Sequence, residues 1–182
     1  PNKLLAEING KPLVRIAAEQ ALASRASPVI VVTGHEHERV GAGLAGLPVK
    51  LVHNPDFASG LGGSLKTGIA VVPADAGGAV VCLGDMPQVD AALIDQLISA
   101  FDPEKGALAV VPVFDGRRGN PVLWSRRFFP DLMAIEGDIG ARHLISRYSE
   151  AVVEVPVTGG GTLVDVDTPE ALRGVKAEIE GG

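Results

Sequence analysis

The sequence of 182 residues has few aromatic residues, a single cysteine and fewer basic than acidic side chains. One cysteine, Cys82, excludes an intrachain disulfide framework and fits a reducing compartment, so we expect a cytoplasmic protein. The net charge of −6 gives no electrostatic footprint for general nucleic-acid binding. No apolar run approaches the roughly 20 residues of a membrane span. Neither a nucleic acid nor a membrane is therefore an expected partner.

Aliphatic residues must build the core, because hydrophobic residues make up 46% of the chain but aromatic residues only 4%. Short aliphatic runs alternate with amphipathic segments, which indicates βαβ units. We predict one α/β domain over residues 1–182, with a mostly parallel central sheet and helices on both faces. Asn120–Trp124 is the one antiparallel element, as the hairpin partner of a strand at Leu108–Phe114. Cys82 lies in an aliphatic run and is predicted to belong to the core.

The stretch Ala79–Pro87 organises the predicted sheet. Its first five residues, Ala79–Leu83, are apolar and predict a short strand buried on both faces. Asp85 follows at the carboxyl end of this strand, where open α/β sheets bind their ligands. A carboxylate held there could bind a divalent cation, although an aspartate that caps the next helix would give the same pattern.

A glycine-rich loop, Gly60–Gly68, leads into a helix predicted from Ser64 to Val72. The loop does not match a Walker A motif, because Leu65 stands where that motif has glycine. What remains is Gly62-Gly63-Ser64 at a helix N-terminus, where free N–H groups and a hydroxyl could meet a base, a ribose or an anion. A helix start with Ser64 as its cap is the alternative.

A second acidic segment lies near the end of the chain. Asp165 and Asp167 are two residues apart, so at a strand end they point to the same face. Together with Asp85 they suit Mg²⁺, which prefers oxygen ligands. The alternative is a helix start capped by Thr168, which explains Asp167 but not Asp165.

Two further segments could contact a substrate. Gly119-Asn120-Pro121 could present its backbone to a ligand, or it could close the predicted hairpin. Gly137–Arg142, which includes Gly140, could offer amides and a guanidinium to an anion, and a surface turn before a helix is the alternative.

Read together, these segments resemble the nucleotidyltransferase family that includes molybdenum cofactor cytidylyltransferase and molybdenum cofactor guanylyltransferase. The matching segments run in the family's order over almost the whole chain, and the ordered set is more specific than any one of them. They are Asn2–Leu5, Gly10–Leu13, Val32–His35, His53–Pro55, Gly60–Ser64, Leu83–Pro87, Gly119–Pro121, Gly137–Arg142 and Asp165–Pro169.

The resemblance implies a Rossmann-like nucleotidyltransferase fold and a role for each matching residue. Lys3 would contact the nucleotide phosphates, and Asp85 would bind the metal, completed by Asp165 or Asp167. Base and ribose would be contacted by Gly62, Gly63 and Ser64, and Gly84 would be a further nucleotide contact. The acceptor would be contacted by Gly119, Asn120, Pro121, Gly140 and Arg142.

The resemblance also implies the reaction. CMP from CTP would pass to the phosphate of molybdenum cofactor, with Mg²⁺ as the metal and release of pyrophosphate. Such an acceptor needs no general base, which agrees with a sequence that shows no Ser-His-Asp or Cys-His arrangement. Transfer of GMP, another small phosphorylated acceptor, or a non-catalytic protein that holds the cofactor or a nucleotide are the alternatives. A molybdoenzyme or its maturation factor is a further expected partner.

The family opens with a strand and a loop of the type Leu-Ala-Ala-Gly-x-Ser-x-Arg-Met-Gly that wraps the triphosphate. That pattern does not occur before Lys3 in the sequence. We therefore expect a first strand and a phosphate loop to belong before residue 1.

Overall fold

A computed structural model describes residues 2–136 and 141–181. In these ranges the chain forms seven α-helices and nine strands, joined by loops and short 3₁₀ turns. The helices are α1 (Leu13–Ala23), α2 (His37–Gly43), α3 (Leu61–Ala70), α4 (Ala91–Ala100), α5 (Phe129–Met133), α6 (Arg142–Arg147) and α7 (Pro169–Glu180). The strands are β1 (Glu7–Ile8), β2 (Lys11–Pro12), β3 (Ile30–Thr33), β4 (Lys50–His53), β5 (Gly78–Val81), β6 (Ala109–Phe114), β7 (Arg117–Arg118), β8 (Val122–Ser125) and β9 (Val152–Pro156). Among the described helices, none combines the length and the apolar character needed to cross a bilayer.

The larger sheet has the strand order β5-β8-β6-β7, and β9 also pairs with β6. Strand β8 runs antiparallel to both β5 and β6, whereas β9 runs parallel to β6. Strands β5, β6 and β9 therefore share one direction, and β8 is the antiparallel element predicted from Asn120–Trp124. The two-residue strand β7 pairs antiparallel with the end of β6 as a small hairpin, which makes the sheet mixed.

Strands β3 and β4 form a separate parallel pair. In the described part of the chain β3 pairs with β4 alone, and β5 pairs with β8 alone. Strand β5 is only half-buried along its length, and Cys82 directly after it is exposed. The prediction that Cys82 belongs to the core is therefore wrong, because the described residues leave one edge of β5 uncovered. A strand before residue 1 stays a prediction.

Local sequence signals set the starts of the long helices. Asp90 caps α4, since its side chain accepts a hydrogen bond from Leu93 N at 2.9 Å. Thr168 caps α7 in the same way by accepting from Ala171 N, and Pro169 takes the first helical position. The cap at Thr168 agrees with the interpretation from the sequence, whereas the cap of α4 is Asp90 and not Asp85, the aspartate considered for that role. Each cap places a helix directly behind one of the acidic segments.

The core lies on both faces of the larger sheet. Successive side chains along β6 point to opposite faces, and Ala109, Val110 and Val111 are all fully buried. Val110 packs with Leu97 of α4 on one face. Ala109 and Val111 join Trp124 and the buried sides of α3, α5 and α6 on the other face. Helices therefore cover both faces of the sheet, as predicted.

Truncation of Leu97 should destabilise the fold strongly, because this residue is 0% exposed between α4 and the sheet. For Leu97→Ala we expect the free energy of unfolding, measured by urea denaturation, to fall by about 2–5 kcal/mol. Leu51→Ala is the matched control. Leu51 is 48% exposed on β4, so the same truncation should change that free energy by about 0.5 kcal/mol or less. Equal losses in the two variants would contradict this packing.

Candidate active site

Lys3 forms ion pairs with two aspartates that are remote from it in sequence. Its Nζ lies 2.8 Å from Asp85 Oδ2 and 2.8 Å from Asp167 Oδ1. Lys3 begins a 3₁₀ turn, and Asn2 caps this turn because its Oδ1 accepts a hydrogen bond from Leu4 N. The first residues of the chain are thereby joined to the end of β5 and to the segment before α7.

Asp85 lies beyond the end of β5, in the turn that leads to α4. Its side chain is 13% exposed, and its backbone oxygen accepts a hydrogen bond from Val166 N at 2.8 Å. That bond fastens the segment before α7 to the end of β5. Asp85 is not a helix cap, because Asp90 caps α4. Next to it, Gly84 packs under Leu4: a Cβ at position 84 would lie 3.1 Å from Leu4 Cδ2.

Asp165 and Asp167 flank Val166, which is buried in the core. The alternation turns both carboxylates outward, where they meet Asp85. One oxygen from each of the three carboxylates lies within 4.8 Å of the others. The structure therefore brings together all the carboxylates predicted to hold a metal, and Thr168 rather than either aspartate caps α7.

The short distances couple the charges of this cluster. Hydrogen bonds from Lys3 and Asp165 hold the pKa of Asp167 below its ordinary value. The hydrogen bond with Asp167, together with burial and the neighbouring negative charges, raises the pKa of Asp165. Burial by itself lowers the pKa of Lys3, but the hydrogen bonds and charges of Asp167 and Asp85 outweigh it, so this pKa is raised. Lys3 is therefore cationic at neutral pH, and Asp165 takes up a proton before Asp167 as the pH falls.

The cluster has the donor set of a divalent cation site. Carboxylate oxygens are the ligands that hard cations such as Mg²⁺ and Mn²⁺ prefer. A positive group, the ammonium of Lys3, already lies between Asp85 and Asp167. These residues therefore fit a divalent metal ion, and their role as its ligands stays a prediction.

Gly62, Gly63 and Ser64 lie in the first turn of α3, which begins at Leu61 rather than at Ser64 as predicted. Gly60 takes the cap position with a φ of 111°, a conformation that glycine adopts readily. Ser64 is therefore not the helix cap. The first N–H groups of a helix have no acceptor within it, so Gly62 N can donate a hydrogen bond to a ligand, whereas Gly63 N already donates to Gly60 O at 3.3 Å.

Asn54 belongs to this part of the site, although its position in the sequence predicted only a turn. The residue is 4% exposed, and its Nδ2 donates a hydrogen bond to Ser64 Oγ at 3.3 Å. Gly63 approaches the same amide closely: a Cβ at position 63 would lie 3.2 Å from Asn54 Nδ2. The available signals were a polar residue between a strand and Pro55, a pattern common to many turns, and the match of His53–Pro55 to the family, which assigned no role to Asn54.

The ends of β3, β4 and β5 lie on one edge of the fold. Asn54 N, directly after β4, donates to Thr33 O at the end of β3. Asn2 Nδ2 donates to His35 O just beyond β3. The next residue, Lys3, donates from its Nζ to Asp85 Oδ2 beyond β5. The first turn of α3 and the carboxylate cluster therefore flank the same edge. That both line one nucleotide pocket stays a prediction.

Gly119 and Asn120 contact the segment that leads to Asp165. Asn120 N donates to Thr162 O at 2.9 Å, and a Cβ at position 119 would lie only 2.2 Å from that oxygen. The Asn120–Pro121 peptide is cis. Strands β6 and β7 form their hairpin earlier in the chain, so this segment does not close it. Its part in acceptor binding stays a prediction.

Of the other segment predicted on the acceptor side, residues 137–140, which include Gly140, lie outside the described residues. Arg142 is the first residue of α6 and is exposed. In the described ranges the hydrogen bonds and ion pairs of the carboxylate cluster do not include Arg142.

A lysine and three carboxylates meet beyond the end of β5 in an α/β fold, an arrangement that can hold a metal ion and phosphate groups, as nucleotidyl transfer requires. Residues 1–152 match the MobA-like NTP transferase domain, and the chain belongs to this family. It is 32% identical to the purine catabolism protein PucB of Bacillus subtilis (strain 168) over 178 residues, which cover 93% of this chain and 85% of PucB.

Solved structures agree with this assignment. The rv0371c homolog from Mycobacterium sp. strain JC1 has a TM-score of 0.86 at 25% identity, covering 100% of this chain and 89% of that one. Rv0371C of Mycobacterium tuberculosis H37Rv, solved as a complex with manganese, has a TM-score of 0.83 at 26% identity, covering 95% and 90%. The predicted nucleotidyltransferase fold is thereby confirmed.

Removal of the Lys3 charge should strengthen metal binding in the absence of nucleotide. The ammonium competes with a cation for Asp85 and Asp167, so Lys3→Met should raise the affinity for Mn²⁺ by roughly three- to tenfold, measured by titration calorimetry. Lys50→Met is the control, because Lys50 is an exposed residue of β4. Weaker Mn²⁺ binding in Lys3→Met than in Lys50→Met would contradict this competition.

A methyl group at position 119 should disturb the contact with the acidic segment. Because its Cβ would lie 2.2 Å from Thr162 O, Gly119→Ala should lower the free energy of unfolding by about 1–3 kcal/mol in urea denaturation. Gly174→Ala is the control, since a Cβ there meets nothing within 4 Å and alanine favours helix α7. If both variants were as stable as the wild type, the close approach at Gly119 would be refuted.

Proposed function

We propose that this chain transfers CMP from CTP to the phosphate of a molybdopterin-type cofactor, with Mg²⁺ as its metal, and releases pyrophosphate. The observation that carries the proposal is the meeting of Lys3, Asp85 and Asp167 beyond the end of β5 in a MobA-like NTP transferase domain. Family membership supports nucleotidyl transfer. The resemblance of the ordered motifs to molybdenum cofactor cytidylyltransferases supports this nucleotide and this acceptor.

The chemistry needs positioning and charge neutralisation rather than a general base. An oxygen of the acceptor phosphate attacks the α-phosphorus and forms a new P–O bond. The bond from the α-phosphorus to the oxygen that bridges to the β-phosphate breaks, and its electron pair leaves with pyrophosphate. A phosphate monoester is largely dianionic near pH 7, because its second pKa is about 6, so the nucleophile arrives without its proton.

In this proposal Lys3 contacts the phosphates and the aspartates hold the metal ion. Lys3 donates hydrogen bonds to the triphosphate and stabilises the negative charge that moves to the leaving group. Asp85, with Asp165 or Asp167, would hold Mg²⁺, which supplies further neutralisation of phosphate charge when bound. The manganese complex of Rv0371C supports a divalent cation in this family.

The remaining predicted residues orient the two substrates. In the proposal the turn Gly62–Ser64 contacts base and ribose, and the backbone at Gly84 lies beside the nucleotide. Gly119–Pro121 and Arg142 face the acceptor, with Gly140 in the same segment as Arg142. The product would pass to a molybdoenzyme or its maturation factor. The proposed compartment is the cytoplasm, because a chain with one cysteine forms no intrachain disulfide and fits a reducing environment.

Replacement of Asp85 by its uncharged isostere should remove turnover and leave the fold intact. With full-length protein, CTP, Mg²⁺ and molybdopterin, we expect pyrophosphate release by Asp85→Asn to fall by on the order of 10²–10³-fold. Asp115→Asn is the control, because Asp115 lies in an exposed turn at a φ of 52°, which asparagine tolerates well.

The outcomes separate the alternatives. Undiminished turnover by Asp85→Asn would overturn the mechanism. Release of pyrophosphate with GTP but not CTP would correct the nucleotide. Nucleotide binding by the wild-type protein without turnover for any acceptor would replace the enzyme with a cofactor-holding or nucleotide-holding protein.

A further inference from the structure

We propose that Asn54 is a positioning residue that decides which way the Ser64 hydroxyl points. By donating to Ser64 Oγ, it leaves the hydroxyl hydrogen for the nucleotide, so that Ser64 selects a hydrogen-bond acceptor on the base or ribose. The inference rests on the proposed function, in which Ser64 contacts the nucleotide. Asn54 acts through Ser64 and does not itself need to touch the ligand.

The orientation of the Asn54 amide is fixed by its own turn. Its Oδ1 accepts a hydrogen bond from Asp56 N at 3.0 Å, which is the pattern of an Asx turn. The backbone is held as well, because Asn54 N donates to Thr33 O at 2.7 Å and the residue is 4% exposed. With Oδ1 engaged by Asp56, the NH₂ end of the amide faces Ser64 Oγ at 3.3 Å.

The Asn54 amide lies close to the backbone of α3. A Cβ at position 63 would lie 3.2 Å from Asn54 Nδ2, tighter than an ordinary contact, so the amide lies directly against the first turn of α3. Thr67 Oγ1 donates to Gly63 O at 2.8 Å one turn later, which steadies the same stretch of helix. Asn54 and Ser64 therefore form a direct contact between the end of β4 and the start of α3.

The direction of this hydrogen bond has a chemical consequence. An amide NH₂ group can only donate, so Ser64 Oγ must accept from it. Among the described residues, the hydrogen bond from Asn54 is the one that Ser64 Oγ makes. The hydroxyl hydrogen is then available to a ligand at the helix start. The group it meets must be an acceptor, such as a pyrimidine carbonyl oxygen or a ribose oxygen, and not an N–H group.

A double-mutant cycle on the full-length protein tests this assignment. Its variants are Asn54→Asp, Ser64→Ala and the two combined, with the affinity for CTP in the presence of Mg²⁺ measured by titration calorimetry. The new carboxylate can still accept from Asp56 N, but it cannot donate to Ser64 at neutral pH, so the hydroxyl hydrogen turns toward it. We expect each single variant to bind CTP about tenfold more weakly, and the combined variant to bind no more weakly than Ser64→Ala.

Controls separate positioning from damage to the fold. Asn9→Asp makes the same chemical change in an exposed turn at a φ of 53° and should leave the CTP affinity unchanged. The cycle is run in parallel with Asn54→Ser, which adds no charge and whose hydroxyl can still accept from Asp56 N. Its effect on CTP affinity should likewise disappear in the Ser64→Ala background.

Three results would overturn the inference. Equal fold-losses from the Asn54 variants in the Ser64 and Ser64→Ala backgrounds would show a merely structural role. Unchanged CTP affinity in Asn54→Asp would show that the direction of the hydrogen bond is irrelevant. Absence of CTP binding to the wild-type protein would overturn the proposed function along with it, whereas the first two results leave that function standing.

Discussion

Mutual repulsion of three carboxylates is the constraint on which this site depends, and the ammonium of Lys3 is what balances it. Negative groups within 4.8 Å of one another destabilise a folded chain, and more so where one of them is as little exposed as Asp85. Lys3 lies 2.8 Å from both Asp85 and Asp167 and so offsets part of that repulsion. The same contacts join the 3₁₀ turn at Lys3, the end of β5 and the start of α7, so one side chain both balances the charge and links these three segments.

Apolar packing explains why the acidic segment can approach β5 at all. Val166 lies between the two outward aspartates and is buried with Ile8, Leu13 and Val175, from β1, α1 and α7. This small cluster holds both chain ends together beneath the carboxylates. The aspartates are thus held by a segment that is anchored in the core, rather than by a free loop.

Features that depend on a few neighbouring residues could be predicted from the sequence, whereas contacts between remote segments could not. Asp85 after an aliphatic run, and the alternation of Asp165 and Asp167, are local patterns. The strand end expected at Asp165 is not present, because residues 164–168 lie between a 3₁₀ turn and α7, and the hydrogen bond from Val166 N to Asp85 O brings the carboxylates together instead. The match of His53–Pro55 to the family marked the position of Asn54, but its contact with Ser64 could not be predicted, since that contact arises from packing between β4 and α3. The exposure of Cys82 escaped prediction for the related reason that burial depends on neighbouring strands.

The segment from Gly161 to Val166 is attached to the rest of the fold at three points. Gly161 approaches Gln88 closely, since a Cβ at position 161 would lie 2.8 Å from the Gln88 side chain. Thr162 O accepts a hydrogen bond from Asn120 N, and Val166 N donates one to Asp85 O. Ordering a residue of a free loop costs about 1–2 kcal/mol in conformational entropy, but here that freedom has already been lost on folding. A cation entering between the carboxylates would meet side chains carried by a backbone that is already ordered, so its binding would cost less conformational entropy than binding to a free loop.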